Sequence, residues 1–237
     1  MSTMFMVDEQ LGKVASPNRY YNAQRTNWRF LLASYLGGED YRRYQYLTRY
    51  QSESDAEYGQ RLNATPLENH CKSVVNVYNS FLFKESPERD FGSLAGAPEL
   101  ADFIKDADLE GRSLNAFMKD VATWSSVFGH CWMILAKPNV GAQTLAEEQA
   151  YGVRPYVSLV TPMMVLDWRW TREPSGRYVL AYLKYVEEIN GSVQTIKEWT
   201  PEEIITYTVD YDTRTVLDKQ VEVNGLGYIP EIGRAHV

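Results

Sequence analysis

The chain has 237 residues, 44% of them hydrophobic and 23% charged, with a formal net charge of −7. These totals describe a globular chain long enough to bury a proper core as one large or two small domains, and they give no support to a protein that grips nucleic acid by its phosphates, which needs a basic face. Two distant cysteines make no disulfide framework, no run approaches the roughly eighteen apolar residues of a membrane span, and MSTMFMVDEQ lacks the layout of a signal peptide, so a soluble chain, cytoplasmic at synthesis and not secreted, is expected.

The aromatic load stands out, with 17 tyrosines and 6 tryptophans. Rings with a polar tip suit large protein–protein interfaces, and they equally suit tyrosine-rich strands. Residues 1–20 read as a flexible arm and 21–110 as a mainly helical region. A helix is expected from Asn22 through Trp28, Leu31, Leu32 and Tyr35, stopped by Gly37-Gly38. EDYRRYQYLTRY interleaves arginine and tyrosine as a base-stacking surface can, but Glu39 and Asp40 beside Arg42 and Arg43 favour a self-paired solvated face. SESDAEYGQRL carries Ser and Asp at a helix start with acidic residues in its first turn.

In TPLENHCKSVVNVYNSFLF, Thr65 is placed as an N-cap, Pro66 at the first helical position and Glu68 as the far side of a capping box. Leu67, Cys71, Val74, Val75, Tyr78, Phe81 and Leu82 form one stripe, expected to be the buried face. SPERDFGSLAGAP is a linker, after which Pro98 opens a short helix with Leu100, Phe103, Ile104 and Ala107 inward.

Residues 111–230 read as an α+β sheet region. Ser113 caps a helix striped by Leu114, Phe117, Met118, Val121, Trp124, Ser125 and Phe128, and Gly129 closes it. HCWMILA then reads as a buried strand, RPYVSLV as a second, and TPMMVLDWRW continues, with Trp168 and Trp170 on one face and Asp167 and Arg169 paired on the other. YVLAYLKYVEEI and SVQTIKEWT form a hairpin about Asn190-Gly191, Thr200-Pro201-Glu202-Glu203 a single helical turn, and ITYTVDYDTRTVLDKQVEV a second hairpin turning near Asp212. The expected fold class is α+β, with N-terminal helices followed by a mixed helix/antiparallel-sheet unit.

The last residues, IGRAHV, can be written in codons as ATC GGA AGA GCA CAC GTC, the start of a common sequencing adapter. Residues 231–237 are therefore expected to be a non-native tail, with the natural chain continuing past Pro230, and His236 is left out of any site.

Few constellations carry chemistry. His70-Cys71 and His130-Cys131 could offer four zinc ligands between them, but neighbours on a helix or strand point apart, and Cys71 lies on an apolar stripe. Structural cysteines are the better reading, and a Cys131–His70 nucleophile–base pair lacks a third group. No glycine-rich phosphate loop, GxSxG or HExxH is present. No catalysis, metal or cofactor is expected.

Three blocks resemble the portal proteins of tailed bacteriophages. They are SESDAEYGQRLNATPLENHCKSVVNVYNSFLFKESP; ADLEGRSLNAFMKDVATWSSVFGHCWMILAKP, with Asp108, Gly111 and Ser113 before the helix and Gly129 before the strand; and RPYVSLVTPMMVLDWRW, followed by LGYIP, with Pro155, Pro162, Trp168, Gly227 and Pro230. The resemblance implies the outer, wing-like part of a portal subunit, with stem, clip and crown regions missing. It implies a structural ring homo-oligomer, commonly a dodecamer, at the capsid vertex of the virion and in the host cytoplasm during assembly. Its partners would be the terminase motor, capsid and tail proteins, with DNA passing through without sequence-specific binding and no membrane involved. Another phage head or neck structural protein, a nucleic-acid enzyme using the His-Cys pairs, and a bacterial interaction module remain alternatives.

Overall fold

The chain folds as α+β, with N-terminal helices followed by two antiparallel sheets. The computed structural model describes residues 11–66, 68–138, 140, 141 and 144–236, the side chains of 145 and 231–236 excepted. Within the expected arm, 11–15 are helical (α1) and Val14 is buried against the main core, so the packed chain begins earlier than the composition suggests. Helix α2 spans Arg19–Leu36, its first turn held by the Asn18 side chain accepting from the Tyr21 N–H. Gly37, at a φ of 71°, ends it. A Cβ there would lie 2.7 Å from the Asn69 side-chain nitrogen, so both the dihedral and the close approach require glycine.

The short helix α3 (Gly38–Arg43) and α4 (Asp55–Ala64) follow, the latter with Ser54 and Glu57 closing a capping box. Helix α5 (His70–Leu82) starts later than the sequence suggests. Asn69, not Thr65, is its N-cap, and Thr65 instead ends α4, its hydroxyl donating to the Arg61 carbonyl. Leu67 lies outside the described residues. Helix α6 (Pro98–Lys105) opens on Pro98 as expected.

Helix α7 (Leu114–Phe128) is capped by Ser113, whose Oγ accepts from the Ala116 N–H, and closes on Gly129 in the left-handed region at φ 80°. Strand β1 (His130–Ala136) leaves directly from that glycine. Its run is continuously apolar because both faces are covered: Cys131 packs with Phe117 and Val121 of α7, while Trp132 and Ile134 face the larger, five-stranded sheet. Helix α8 (Leu145–Ala150), unanticipated, sits in the loop before β2 (Tyr156–Val160).

Strands β3 (Val165–Arg172), β4 (Tyr178–Asn190), β5 (Val193–Trp199), β6 (Glu203–Asp210) and β7 (Thr215–Val223) form a five-stranded meander in chain order. Asn190 pairs with Val193, so the two-residue loop is Gly191-Ser192, one residue later than the Asn-Gly signal placed it. The expected helical turn at Thr200–Glu203 is instead a tight strand-to-strand turn. The Thr200 hydroxyl accepts from the Glu202 and Glu203 N–H groups, and Glu203 already pairs with Val223. Residues 224–230 carry the chain back, and β8 (Glu231–His236) lies antiparallel beside β1, giving a second sheet ordered β2-β1-β8. The two sheets share a core of Trp132, Ile134, Val160, Val165, Leu183, Tyr185 and Trp199. The opposite face of the larger sheet is covered by α1, α2 and the end of α7 through Val14, Trp28 and Phe128.

Candidate functional site

The motif positions named above divide into two groups. Asp108, Gly111 and Ser113 build the entrance to α7. The Asp108 carboxylate is buried and accepts from the Glu110 N–H at 3.0 Å and the Arg112 N–H at 3.2 Å, with the Arg112 guanidinium paired to its other oxygen. Burial pushes this carboxyl up, but those three donors outweigh it and hold it below the usual aspartate range. The Gly111 N–H reaches Asp106, and a φ of 89° explains the glycine. Gly129, Pro155, Pro162, Trp168, Gly227 and Pro230 punctuate the sheets. Pro155 precedes β2, and Pro162 is fully buried in the turn before β3. Trp168 meets Tyr20 edge-on at 5.6 Å and Trp132 at 5.8 Å. Gly227 turns the return loop at φ 69°, and the Pro230 carbonyl accepts from the Leu135 N–H at 2.9 Å. These residues act as joints of the fold, and Asp108 and Gly129 line two different cavities.

The His-Cys pairs do not converge. His70 and Cys71 are exposed at the start of α5, and His130 and Cys131 are buried at the start of β1. Burial pushes the Cys131 thiol up to about 11, against a weaker opposing pull from the Ser125 hydroxyl, which is the setting of an inert thiol. Among the described residues, no group of three or more His, Cys, Asp or Glu side chains is placed to hold a metal.

A polar cleft of about 510 Å³ lies between Asp108, Arg112, Tyr156, Glu187 and Glu188. Asp108 is committed to Arg112, and Glu187 accepts from Lys197 at 2.8 Å. Asp167 and Arg169 do share a face, 3.9 Å apart, as expected, but the structure extends that pair into a charged row the sequence did not reveal. Arg169 stacks on the Tyr182 ring at 4.2 Å, the Tyr182 hydroxyl donates to Glu198 at 2.9 Å, and Lys184, only 4% exposed, reaches Glu198 at 3.7 Å and the Lys13 carbonyl at 3.2 Å. Burial lowers the Lys184 pKa, and Glu198 and Asp167 offset only part of that. The row lies across β3, β4 and β5 and ties residue 13 to the sheet. It is a structural network.

The arginine–tyrosine stretch is not self-paired as expected. Among the described residues no ion pair joins Glu39 or Asp40 to Arg42 or Arg43, although α3 sets them three and four residues apart; its acids lie in the first turn and its arginines in the last, where each meets the helix dipole favourably. The rings gather instead: Tyr46 lies 5.0 Å from Phe30 and 5.3 Å from Tyr41.

The largest departure is α5. Most of the stripe expected to face inward faces out: Cys71 is exposed, Val74, Tyr78, Phe81 and Leu82 are between 54% and 74% exposed, and only Val75 is half-buried, while Val77, outside that stripe, is 53% exposed beside them. The helix is instead fixed to its neighbours through asparagines. Asn69 donates to the Tyr35 carbonyl at 2.7 Å, the Tyr35 hydroxyl to Asn76 at 3.4 Å, and buried Asn79 to the Thr123 hydroxyl at 2.6 Å. The polar side points in and the apolar side out. Between the stripe and Ala122, Ser125, Ser126 and Gly129 runs an apolar groove of about 710 Å³. Its floor of small residues leaves room for large side chains from elsewhere.

No family model matches the chain, and no curated protein matches it. The functional reading therefore rests on the residues and their arrangement. No helix among the described residues is long and apolar enough to cross a membrane.

Proposed function

We propose that the chain is a structural subunit of the portal ring of a tailed bacteriophage, corresponding to its wing-like α+β part, at the capsid vertex through which the genome is packaged and the tail attached. The observation that carries this reading is the outward apolar face of α5. A chain that works alone does not stabilise five large apolar side chains in water while fixing the same helix to its core through asparagines. A subunit that is completed by association does. The resemblance in motif order from Ser52 to Pro230 supports the family reading, and the acidic balance of −7 suits a ring through which DNA must slide without being gripped. The terminase motor, capsid and tail proteins are the partners this reading implies, with the virion as its final location and the host cytoplasm as the site of assembly. The enzyme reading gains nothing from the geometry, since the polar cleft beside Asp108 has its best-placed carboxylates committed to Arg112 and Lys197.

The test is to express the full-length product of the gene that encodes this chain and determine its size by light scattering with negative-stain imaging. A closed ring of about a dozen subunits is the expected result. A folded monomer overturns the proposal.

A further inference from the structure

The described surface carries a second exposed apolar strip, on different elements from α5. Along β7 and the loop after it, Leu217, Val221, Val223, Leu226 and Tyr228 are between 55% and 85% exposed. β7 is one of the two edge strands of the five-stranded sheet, so among the described residues it also presents backbone groups without a neighbouring strand. The loop that carries Leu226 and Tyr228 is held in place rather than loose. Buried Asn224 donates to the Thr200 carbonyl at 2.8 Å and to the Tyr228 carbonyl at 2.9 Å, and its side-chain oxygen accepts from the Leu226 N–H at 3.2 Å. A surface fixed this way loses little conformational freedom when it is covered.

The two strips match in size. Five side chains exposed to these extents present roughly 500–600 Å² on α5 and a similar area on β7 and its loop, scaling from the 150–250 Å² an aromatic side chain can bury. Brought together they cover about 1,000 Å², the lower limit for a specific interface. Either strip paired with its own copy would leave the other in water. One strip paired with the other covers both in a single kind of contact, and that contact is heterologous, the kind a closed ring is built from when the rotation between copies closes.

We propose that the apolar stripe of α5 in one subunit docks on the β7 edge and following loop of a second copy of this chain, head to tail. This deepens the ring reading and rests on it. Val74, Tyr78 and Phe81 are the anchors, spaced to present one helical seam, and the α5–α7 groove receives the side chains that β7 and the loop present.

The test uses the full-length protein in a background where exposed cysteines, Cys71 among them, are replaced by serine. Phe81→Cys, Val221→Cys and the double variant are each treated with a short bismaleimide and run on a denaturing gel. The expected result is a ladder of multiples in the double variant and single chains in each of the others. Dimers from Phe81→Cys alone indicate a twofold α5 contact and overturn the proposal. A ring seen by imaging with no ladder in the double variant overturns this pairing while the ring reading stands, and a monomer overturns both. Phe81→Asp provides the second check. The side chain is 74% exposed within one chain, so the variant is expected to keep its far-ultraviolet circular dichroism and lose assembly. Retained assembly sinks the proposal as surely as a missing ladder.

Discussion

Replacing Lys184 by methionine tests whether the charged row on the larger sheet is a satisfied network or a tolerated burden. The ammonium sits 3.7 Å from Glu198 and 3.2 Å from the Lys13 carbonyl, in a side chain 5% exposed. Methionine keeps the apolar stem and removes the charge. Breaking one side of a buried ion pair costs about 3–5 kcal/mol when the survivor is stranded. Glu198 is not fully stranded, since it is 17% exposed and keeps the Tyr182 hydroxyl at 2.9 Å. The expected loss at pH 7 is therefore about 1–2 kcal/mol, and Glu198→Gln in the same chain restores much of it by removing the second charge. The pH dependence has a definite sign. The folded pKa of Lys184 lies below its usual 10.5, so the unfolded chain binds more protons in the window between the two. Stability then rises with pH toward 10.5 through this group, and the methionine variant lacks that rise, so its deficit widens on the alkaline side. Urea unfolding of both proteins at pH 7 and at stepped alkaline values measures it. A variant as stable as the parent at pH 7, with a parallel alkaline profile, would refute the reasoning.

Three further outcomes follow from the geometry. In the native chain a thiol reagent titrates Cys71 alone, and Cys131 reacts only in denaturant, because it is fully buried and its thiol is pushed up to about 11; by linkage its contribution is intact below pH 9.0 and is lost as pH rises from 9.0 toward about 11, so Cys131→Ala flattens this fall. Gly129→Ala costs about 1 kcal/mol in thermal or urea melts, since φ is 80° and an added Cβ meets nothing within 4 Å, leaving backbone conformation as the only penalty; a loss above roughly three times that would mean an unseen clash. Asp108→Ala costs about 2–3 kcal/mol by freeing two backbone donors and Arg112, and because the native carboxyl is lowered, the parent's advantage is present above the ordinary value of 3.8 and disappears as acid takes the pH below it; an advantage unchanged by acid argues against the paired carboxylate.

The sequence announces most of the second half because its signals are local. Ser113 and Gly129 bound α7 through their own capping chemistry, and HCWMILA reads as a buried strand because both faces of β1 are covered. The hairpin at Gly191 and the turn between Asp210 and Thr215 are likewise set by a few adjacent residues. Where one residue type serves two roles, the reading slips. Thr65 and Asn69 both have N-cap side chains, and only the geometry shows Thr65 turned back to Arg61 while Asn69 caps Lys72. Thr200-Pro201-Glu202-Glu203 carries the same cap chemistry, and here the strand pairing of Glu203 with Val223 overrides the helix it suggests. The Lys184–Glu198 row had no signal at all, since the two residues are paired by register across β4 and β5 rather than by spacing along the chain.

Helix α5 shows a different kind of limit. Periodicity finds an apolar stripe with assurance, but it cannot say whose atoms cover it. The inward reading assumes that the covering surface lies in the same chain, and the three asparagine contacts of α5 remove that assumption. Asn69, Asn76 and Asn79 sit on the face opposite the stripe and fix the helix to α2 and α7. An amphipathic helix whose polar face is used for its own fold has its apolar face free for assembly. Under the proposed assembly, placing the apolar stripe and the intramolecular contacts on opposite sides would let a subunit fold before it associates, because neither set of contacts competes for the other's surface. Polar substitutions along the stripe should therefore leave the subunit's melting temperature nearly unchanged while abolishing assembly, whereas Asn79→Ala should lower that temperature by removing a bond from a buried amide. If both classes of variant lower the melting temperature equally, α5 is covered by its own chain and the division of faces is wrong.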